Sequence, residues 1–383
     1  MSIHGTPDGL VLSPSSAARW TECPASAVLA RGVPSKSSVF AEAGTAGHAV
    51  AECLRKGCYS ELPAKLAVFE EHPDWPLDAE GALEAANRWI EKVDDLRPEG
   101  TPWMMEASEL PLADDSIWPG FHGTADFAGC FRTDRTVWVI SDLKLGRGVP
   151  VSAEENLQLA LYAKMLLDQV PHDPYDRLLL QIGQVLHEDG VSTWELTAAD
   201  LAEFHRDRIT PALEDLRRML KVDEPYGRPG SWCRWCPVLG TCRAVQDERA
   251  RLTMRTPGLM TPEEMAEAIR ALPRLKNWLS EFEATARDRV WERSVPGWVL
   301  ASGGSRMVVS DTDAAVQRLR EAGYDDDEFL DRRLVGVSKL RRLLGADFDE
   351  VLGTTVERRN NRPRLVEEEH RVAELFGGKK EES

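Results

Sequence analysis

The spacing of apolar and polar positions changes period twice along the first 250 residues. "LSPSSAARWTECPASAVLA", from Leu12, has serines suited to a helix N-cap. Apolar positions then follow at helical spacing through Ala17, Ala18 and Trp20, until Pro24 interrupts them. "VFAEAGTAGHAVAECLRKG" predicts a second helix, and the stretch from Leu83 to Val93 a third. The period then falls to two. "PWMMEASELPL", "FHGTADFAGCF" and "TVWVISDLKL" have strand composition and are separated by turn residues, which predicts an antiparallel meander. "SAEENLQLALYAKMLLDQV" returns to helical spacing, and "DRLLLQIGQVL" and "VSTWELT" add two strands. This order predicts an α/β domain over residues 1–250, with a central mixed sheet flanked by helices. "TPEEMAEAIRALPRLKNWLSEFEATARDRVWERS" opens on a capping box, Thr261 to Glu264 with Pro262 at the first helical position. It predicts a helical connector over 251–295 that breaks near Pro273. Residues 296–383 read as a small α+β appendage: a hairpin turning at Gly303 and Gly304, helices over 313–322 and near 338–344, and a disordered tail "GGKKEES".

Composition narrows the class. With 383 residues, 42% of them hydrophobic, the chain can bury a substantial core. No apolar run approaches the ~20 residues of a membrane helix, and the N-terminus lacks a signal-peptide layout, so no membrane association and a cytoplasmic location are expected. Seven cysteines, an odd number without an export signal, argue against a disulfide framework and leave metal binding as the use for any cluster. A net charge of −17 speaks against coating nucleic acid through the general field. It leaves room for a local basic channel, because arginine and lysine concentrate in "RDRITPALEDLRRMLK", "GSWCRWCPVLGTCR", "DRRLVGVSKLRRLLG" and "ERRNNRPR". Taken singly, each of these runs also reads as a solvated helix face.

The candidate chemistry begins in "WVISDLKLGRG". Side chains alternate across a strand, so Asp142 and Lys144 share one face while Leu143 takes the other. Alone, that is a surface ion pair. Asp126, in "GTADFAG" one strand earlier, changes the reading, because neighbouring antiparallel strands can bring both carboxylates to one end of the sheet. Two such acids suit Mg²⁺ or Mn²⁺. Beside a metal and a phosphate, the Lys144 ammonium can orient or activate water and offset developing charge. His48 can add an imidazole ligand, and Gln158 and Tyr162, four apart on a helix, can orient the site. A second constellation is C-x₂-C-x₅-C at Cys233, Cys236 and Cys242, with Cys23 alone near the N-terminus. Four thiolates suit zinc or a [4Fe–4S] cluster, and the spacing does not choose between them. Cys53, Cys58 and Cys130 lack partner spacing and read as small apolar residues.

The ordered set G-T-x-x-H (Gly44 to His48), G-x-x-D (Gly123 to Asp126), D-x-K (Asp142 to Lys144) and Q-x-x-x-Y (Gln158 to Tyr162) resembles the RecB-like branch of the PD-(D/E)XK nuclease superfamily. The resemblance implies a restriction-endonuclease-like core in which His48, Asp126, Asp142 and the Leu143 backbone carbonyl hold metal. It also implies that Lys144 acts on water, with Gln158 and Tyr162 in support. One cysteine before this core and three after it, with the opening "SPSSAARWTECP", are similar to the members with an iron–sulfur staple, AddB and the CRISPR-adaptation nucleases. By that likeness Cys23, Cys233, Cys236 and Cys242 hold a [4Fe–4S] cluster, with Zn²⁺ as the alternative. "KLGRGVPVSAEENLQLALYA" looks like phage or prophage members. The implied function is a metal-dependent DNA exonuclease of phage-type replication and recombination. The implied partners are single-stranded or end-containing DNA, together with other replication and recombination proteins. The competing reading is a catalytically idle DNA-binding or scaffold protein that keeps the nuclease fold. Asp126, Asp142 and Lys144 together favour the enzyme, and nothing in the sequence reads a 2′-hydroxyl to separate DNA from RNA.

Overall fold

The computed structural model describes residues 9–33, 38–146, 150–187, 190–292, 294–296 and 298. The chain divides into two units, Met1–Leu279 and Ser280–Ser383. In the first unit, α1 (Ala17–Trp20) and α2 (Pro24–Leu29) are separate because Pro24 starts the second of them, as its missing N–H favours. The longer α3 (Val39–Lys56) is capped by Ser38, whose side chain accepts from the Ala41 N–H, and stops at Gly57 in the left-handed conformation. Next come α4 (Leu62–Glu71) and α5 (Ala79–Asp94). The spacing of apolar positions does not predict α4, which buries little beyond Phe69 and so carries a weak periodic signal. The fifth helix starts four residues before Leu83, where "AEGA" follows the Asp78 cap and offers small or polar residues in place of a periodic pattern.

The strands are β1 (Met105–Ala113), β2 (His122–Arg132), β3 (Thr136–Leu143), β4 (Arg177–Gly183) and β5 (Val191–Thr197), with α6 (Leu157–Leu167) between the third and fourth. They form one sheet in the order β1-β2-β3-β4-β5. The first three make the predicted antiparallel meander. β4 lies parallel to β3 after the crossover through α6, and β5 returns antiparallel. This is the mixed sheet of an α/β fold. Alternation along β3 serves two cores: Trp138 and Ile140 pack with α6, while Val137, Val139 and Leu143 pack with Trp89 and Val93 of α5 and Val50 of α3. α7 (Ala198–Phe204) leads through a π turn, His205–Ile209, into α8 (Thr210–Met219), whose Leu213 and Leu216 close the first core.

α9 (Arg243–Thr253) and α10 (Pro262–Trp291) follow. The expected break near Pro273 does not occur: α10 runs through it. A proline inside a helix removes one hydrogen bond. Here the next residue, Arg274, is buried and tied down. Its guanidinium donates to both carboxylate oxygens of Glu248 at 2.8 and 2.6 Å, and to the Arg270 carbonyl one turn back at 3.3 Å. In the second unit the described residues belong to the end of α10 and the short stretch after it. The expected hairpin at Gly303–Gly304, both later helices and the tail lie outside the described residues. No described helix is long and apolar enough to cross a membrane.

Candidate functional site

The antiparallel ladder between β2 and β3 ends at the Phe127–Ser141 pair, so the next two residues, Asp126 and Asp142, stand where the strands stop pairing. Asp126 takes over part of the ladder's work. Its Oδ2 accepts the Leu143 backbone N–H at 2.7 Å, which leaves Oδ1 to face His48 of α3, whose Nδ1 is 3.2 Å away. On the other side of β2, pairing with β1 skips Glu109 and Asp126, which lie opposite each other between the Ser108–Phe127 and Leu110–Ala125 pairs. Glu109 has φ of 51°, the left-handed region that costs a residue with a Cβ roughly 1–2 kcal/mol. That backbone turn aims its carboxylate at His48, with Oε1 3.7 Å from Nδ1. His48, Glu109 and Asp126 offer ligand atoms all within 4.8 Å of one another. One imidazole nitrogen and two carboxylates fit a hard or borderline divalent cation such as Mn²⁺ or Mg²⁺.

Asp142 is buried at the end of β3. Its Oδ1 accepts from the Gln158 amide at 2.7 Å, and its Oδ2 lies 2.7 Å from the Lys144 ammonium with no hydrogen-bond donor in line. Lys144 Nζ in turn donates to Gln158 Oε1 at 3.4 Å. The amide of α6 thus spans the acid and the base, fixing their mutual geometry. Tyr162, one turn further along α6, is buried over Gly123, where an added Cβ would meet its ring at 2.9 Å. Gly123 is therefore needed for α6 to approach β2. From beneath, Ser141 is held by the Trp89 indole N–H at 2.9 Å and donates to Gln181 at 2.9 Å. Gln181 then donates to the Lys92 carbonyl of α5 at 3.1 Å. This buried chain of hydrogen bonds ties β3 to α5 and β4 one residue before Asp142.

The charges respond to this crowding. Burial works against a charged His48, but its hydrogen bonds to Asp126 and Glu109 and the charges of Asp126 and Asp142 push its pKa up to about 10. Burial pushes Asp142 up to about 6; the Asp126 charge adds to this, and Lys144 and His48 oppose it. Burial also works against a charged Lys144, yet Asp142 and Asp126 hold it above the usual lysine range, so it stands as an ammonium. Burial raises the Tyr162 phenol well above its ordinary value, which leaves it a neutral hydrogen-bonding group.

Every residue singled out for metal chemistry thus meets at one end of the sheet, with Tyr162 hydrogen-bonded to Gln158 and packing α6 against β2 at Gly123. The site residue missing from the sequence reading is Glu109. Its only signal is an acid inside a strand pattern, and its approach depends on a backbone conformation that spacing does not reveal. The four expected cysteine ligands come together as well. Cys23, Cys233, Cys236 and Cys242 line one pocket, roofed by Gly227, where a Cβ would stand 3.2 Å from Cys242 Sγ and 3.6 Å from Cys23 Sγ. Backbone N–H groups of Arg228 and Gly230 donate to Cys23 Sγ at 3.2 Å and Cys233 Sγ at 3.3 Å. Burial pushes the Cys233 and Cys236 thiols up, while Arg274 pulls on the first and Arg19 on the second toward thiolate. Four thiols around one pocket, two amide donors and nearby guanidiniums are a donor set whose chemistry suits a thiolate-bound metal group, without the close ligand spacing of the His48–Glu109–Asp126 set. Of the cysteines read as small apolar residues, Cys53 and Cys130 are buried and Cys58 is partly exposed.

Residues 10–372 match the model of a family described as "Protein of unknown function (DUF2800)". Among solved structures, one titled "Crystal structure of SSO0001" is similar at 16% identity, covering 52% of this chain and 85% of that chain with a TM-score of 0.25. That likeness is too slight to carry over a fold or a role.

Proposed function

We propose that this chain, which belongs to the DUF2800 family, is a divalent-cation-dependent DNA nuclease of the RecB-like type, acting as an exonuclease in phage-type replication or recombination. The observation that carries the reading is the position of the buried Asp142, paired with the half-buried Lys144 and bridged to it by Gln158, beside the His48–Glu109–Asp126 set. An ion pair that served only as surface decoration would need neither the burial nor the bridging amide.

His48, Glu109, Asp126 and Asp142 would hold the cation, with the Leu143 carbonyl adding an oxygen. When bound, the cation supplies Lewis-acid polarisation of the phosphate and a lowered pKa for water. The chain's own residues do the rest. Lys144, held as an ammonium by Asp142, offsets the negative charge that grows on the phosphoryl oxygens during attack and orients the water. Gln158 keeps Lys144 and Asp142 in register through the change in charge, and the Leu143 N–H keeps Asp126 from rotating away from His48. Cys23, Cys233, Cys236 and Cys242 would hold a [4Fe–4S] cluster, which would tie the segment before the sheet to the segment after it.

End-labelled single- and double-stranded DNA, incubated separately with Mn²⁺ and with Mg²⁺, tests the reading. Shortening of labelled strands by the parent, lost in Asp142→Asn, is expected. A parent that leaves every strand intact with both metals overturns it.

A further inference from the structure

Two glycines of α3 have opposite surroundings. Gly47 is buried, and a Cβ there would fall 2.1 Å from Leu145 Cδ1, so its small size lets the helix pack against the segment after β3. Gly44 has no such reason. A Cβ added to it meets nothing within 4 Å, it is not at a left-handed position, and it lies inside a helix, where glycine is a poorer former than alanine. Among the described residues, none packs against Gly44 to offset this. What Gly44 does face is a cleft of about 400 Å³. Phe40, Gly44 and His48, four residues apart and therefore on one helix face, form one wall; Pro76, Leu77 and Lys144 contribute to the rest. Phe40 is 67% exposed, although a phenylalanine one turn from a buried helix face could have been covered. The face therefore reads, in order, as an exposed aromatic ring, a bare stretch of helix backbone, and a residue of the candidate metal set.

We propose that this face is the path of an unpaired nucleic-acid strand: a base stacks on Phe40, the sugar–phosphate backbone passes against Gly44, and the phosphate to be cut arrives at His48 and Lys144. This rests on the nuclease reading for the identity of the ligand and adds its track. The chemistry of the cleft selects the occupant. Its lining includes the Lys144 ammonium and His48 of the candidate metal set, which call for a phosphate, while Phe40 offers an aromatic face, which calls for a base free to stack. A volume of this size is in the range that encloses one small ligand. It admits an unstacked nucleotide, whereas the bases of a duplex are already paired and stacked.

The test is binding of a short fluorescent oligothymidylate to the full chain in Ca²⁺, with hydrolysis followed separately in Mn²⁺. Phe40→Ala should weaken binding about tenfold, the loss of one base–aromatic stack. Gly44→Leu should weaken it at least as much by filling the track. Gly44→Ala and Gly44→Leu should melt at or above the parent temperature, since both are better helix formers with open space around them, and that combination separates a blocked track from a damaged fold. A blunt duplex of the same length should compete poorly. Binding that is absent in the parent, unchanged in both Phe40→Ala and Gly44→Leu, or stronger for the duplex overturns the proposal. Variant-sensitive binding by a parent that never hydrolyses DNA would keep the track and remove the nuclease reading; hydrolysis with variant-insensitive binding would do the reverse.

Discussion

At the scale of single residues, the site concentrates negative charge and answers it with one imidazole and one ammonium. The high pKa of His48, about 10, means that in metal-free protein a proton sits where a cation would bind. A nitrogen must lose that proton to become a ligand, so Mn²⁺ binding should release it. The sign follows: below the folded pKa the proton competes, and apparent Mn²⁺ affinity should rise about tenfold per pH unit between roughly pH 6 and 8. Below about 6, Asp142 also holds a proton and the dependence should steepen. Titration of free Mn²⁺ by electron paramagnetic resonance checks this, and His48→Ala should flatten the slope; a parent with pH-independent affinity would refute the assignment. Glu109 allows a second prediction. Its left-handed backbone is strain held in the service of the site. Glu109→Asn, a residue that tolerates this conformation, should melt no lower than the parent and yet bind Mn²⁺ at least tenfold more weakly. Equal affinity in that variant would return Glu109 to an ordinary strand position. Asp142→Asn should lower hydrolysis at least a hundredfold with little change in melting temperature, because its shape and the Gln158 contact survive while the charge does not.

At the scale of elements, the meander, the crossover helix and α3 each deliver one part of the site, and buried polar ties hold them in place. α10 shows the same device away from the site. Removing Arg274 would leave the Glu248 carboxylate buried without a partner, which costs ~3–5 kcal/mol in comparable pairs. Arg274→Met alone should therefore melt well below the parent and lose helical circular dichroism from the stretch around Pro273. Adding Glu248→Leu should restore most of the stability. If Arg274→Met melts like the parent, the continuity of the helix has another cause.

At the scale of the molecule, Cys23 and the Cys233–Cys242 group stand 210 positions apart and meet in one pocket, so a metal group there would close most of the first unit into a loop. Loop-closure arguments put such a constraint at ~5 kcal/mol in principle. Protein purified without air should be brown, with about four irons per chain, and Cys23→Ser should lose colour and thermal stability together. Colourless protein with one zinc would replace the cluster but keep the staple, and metal-free cysteines with an unchanged Cys23→Ser would remove both. Much of this was legible in the linear chain. Alternation along Val137–Leu143 already assigned Asp142 and Lys144 to one face, and helical spacing placed Gln158 and Tyr162 together, because those periods follow from local backbone geometry alone. The sequence by itself determined the α/β class and the mixed sheet, and it singled out the four cysteines that line one pocket. Only the tertiary structure decided that Glu109 turns into the site, that α10 passes unbroken through Pro273, and that Gly44 lines a cleft with no described side chain against it. Each of these depends on what a distant segment places beside the residue, an opposing strand, a buried Glu248 or an empty cleft, and no local period encodes that.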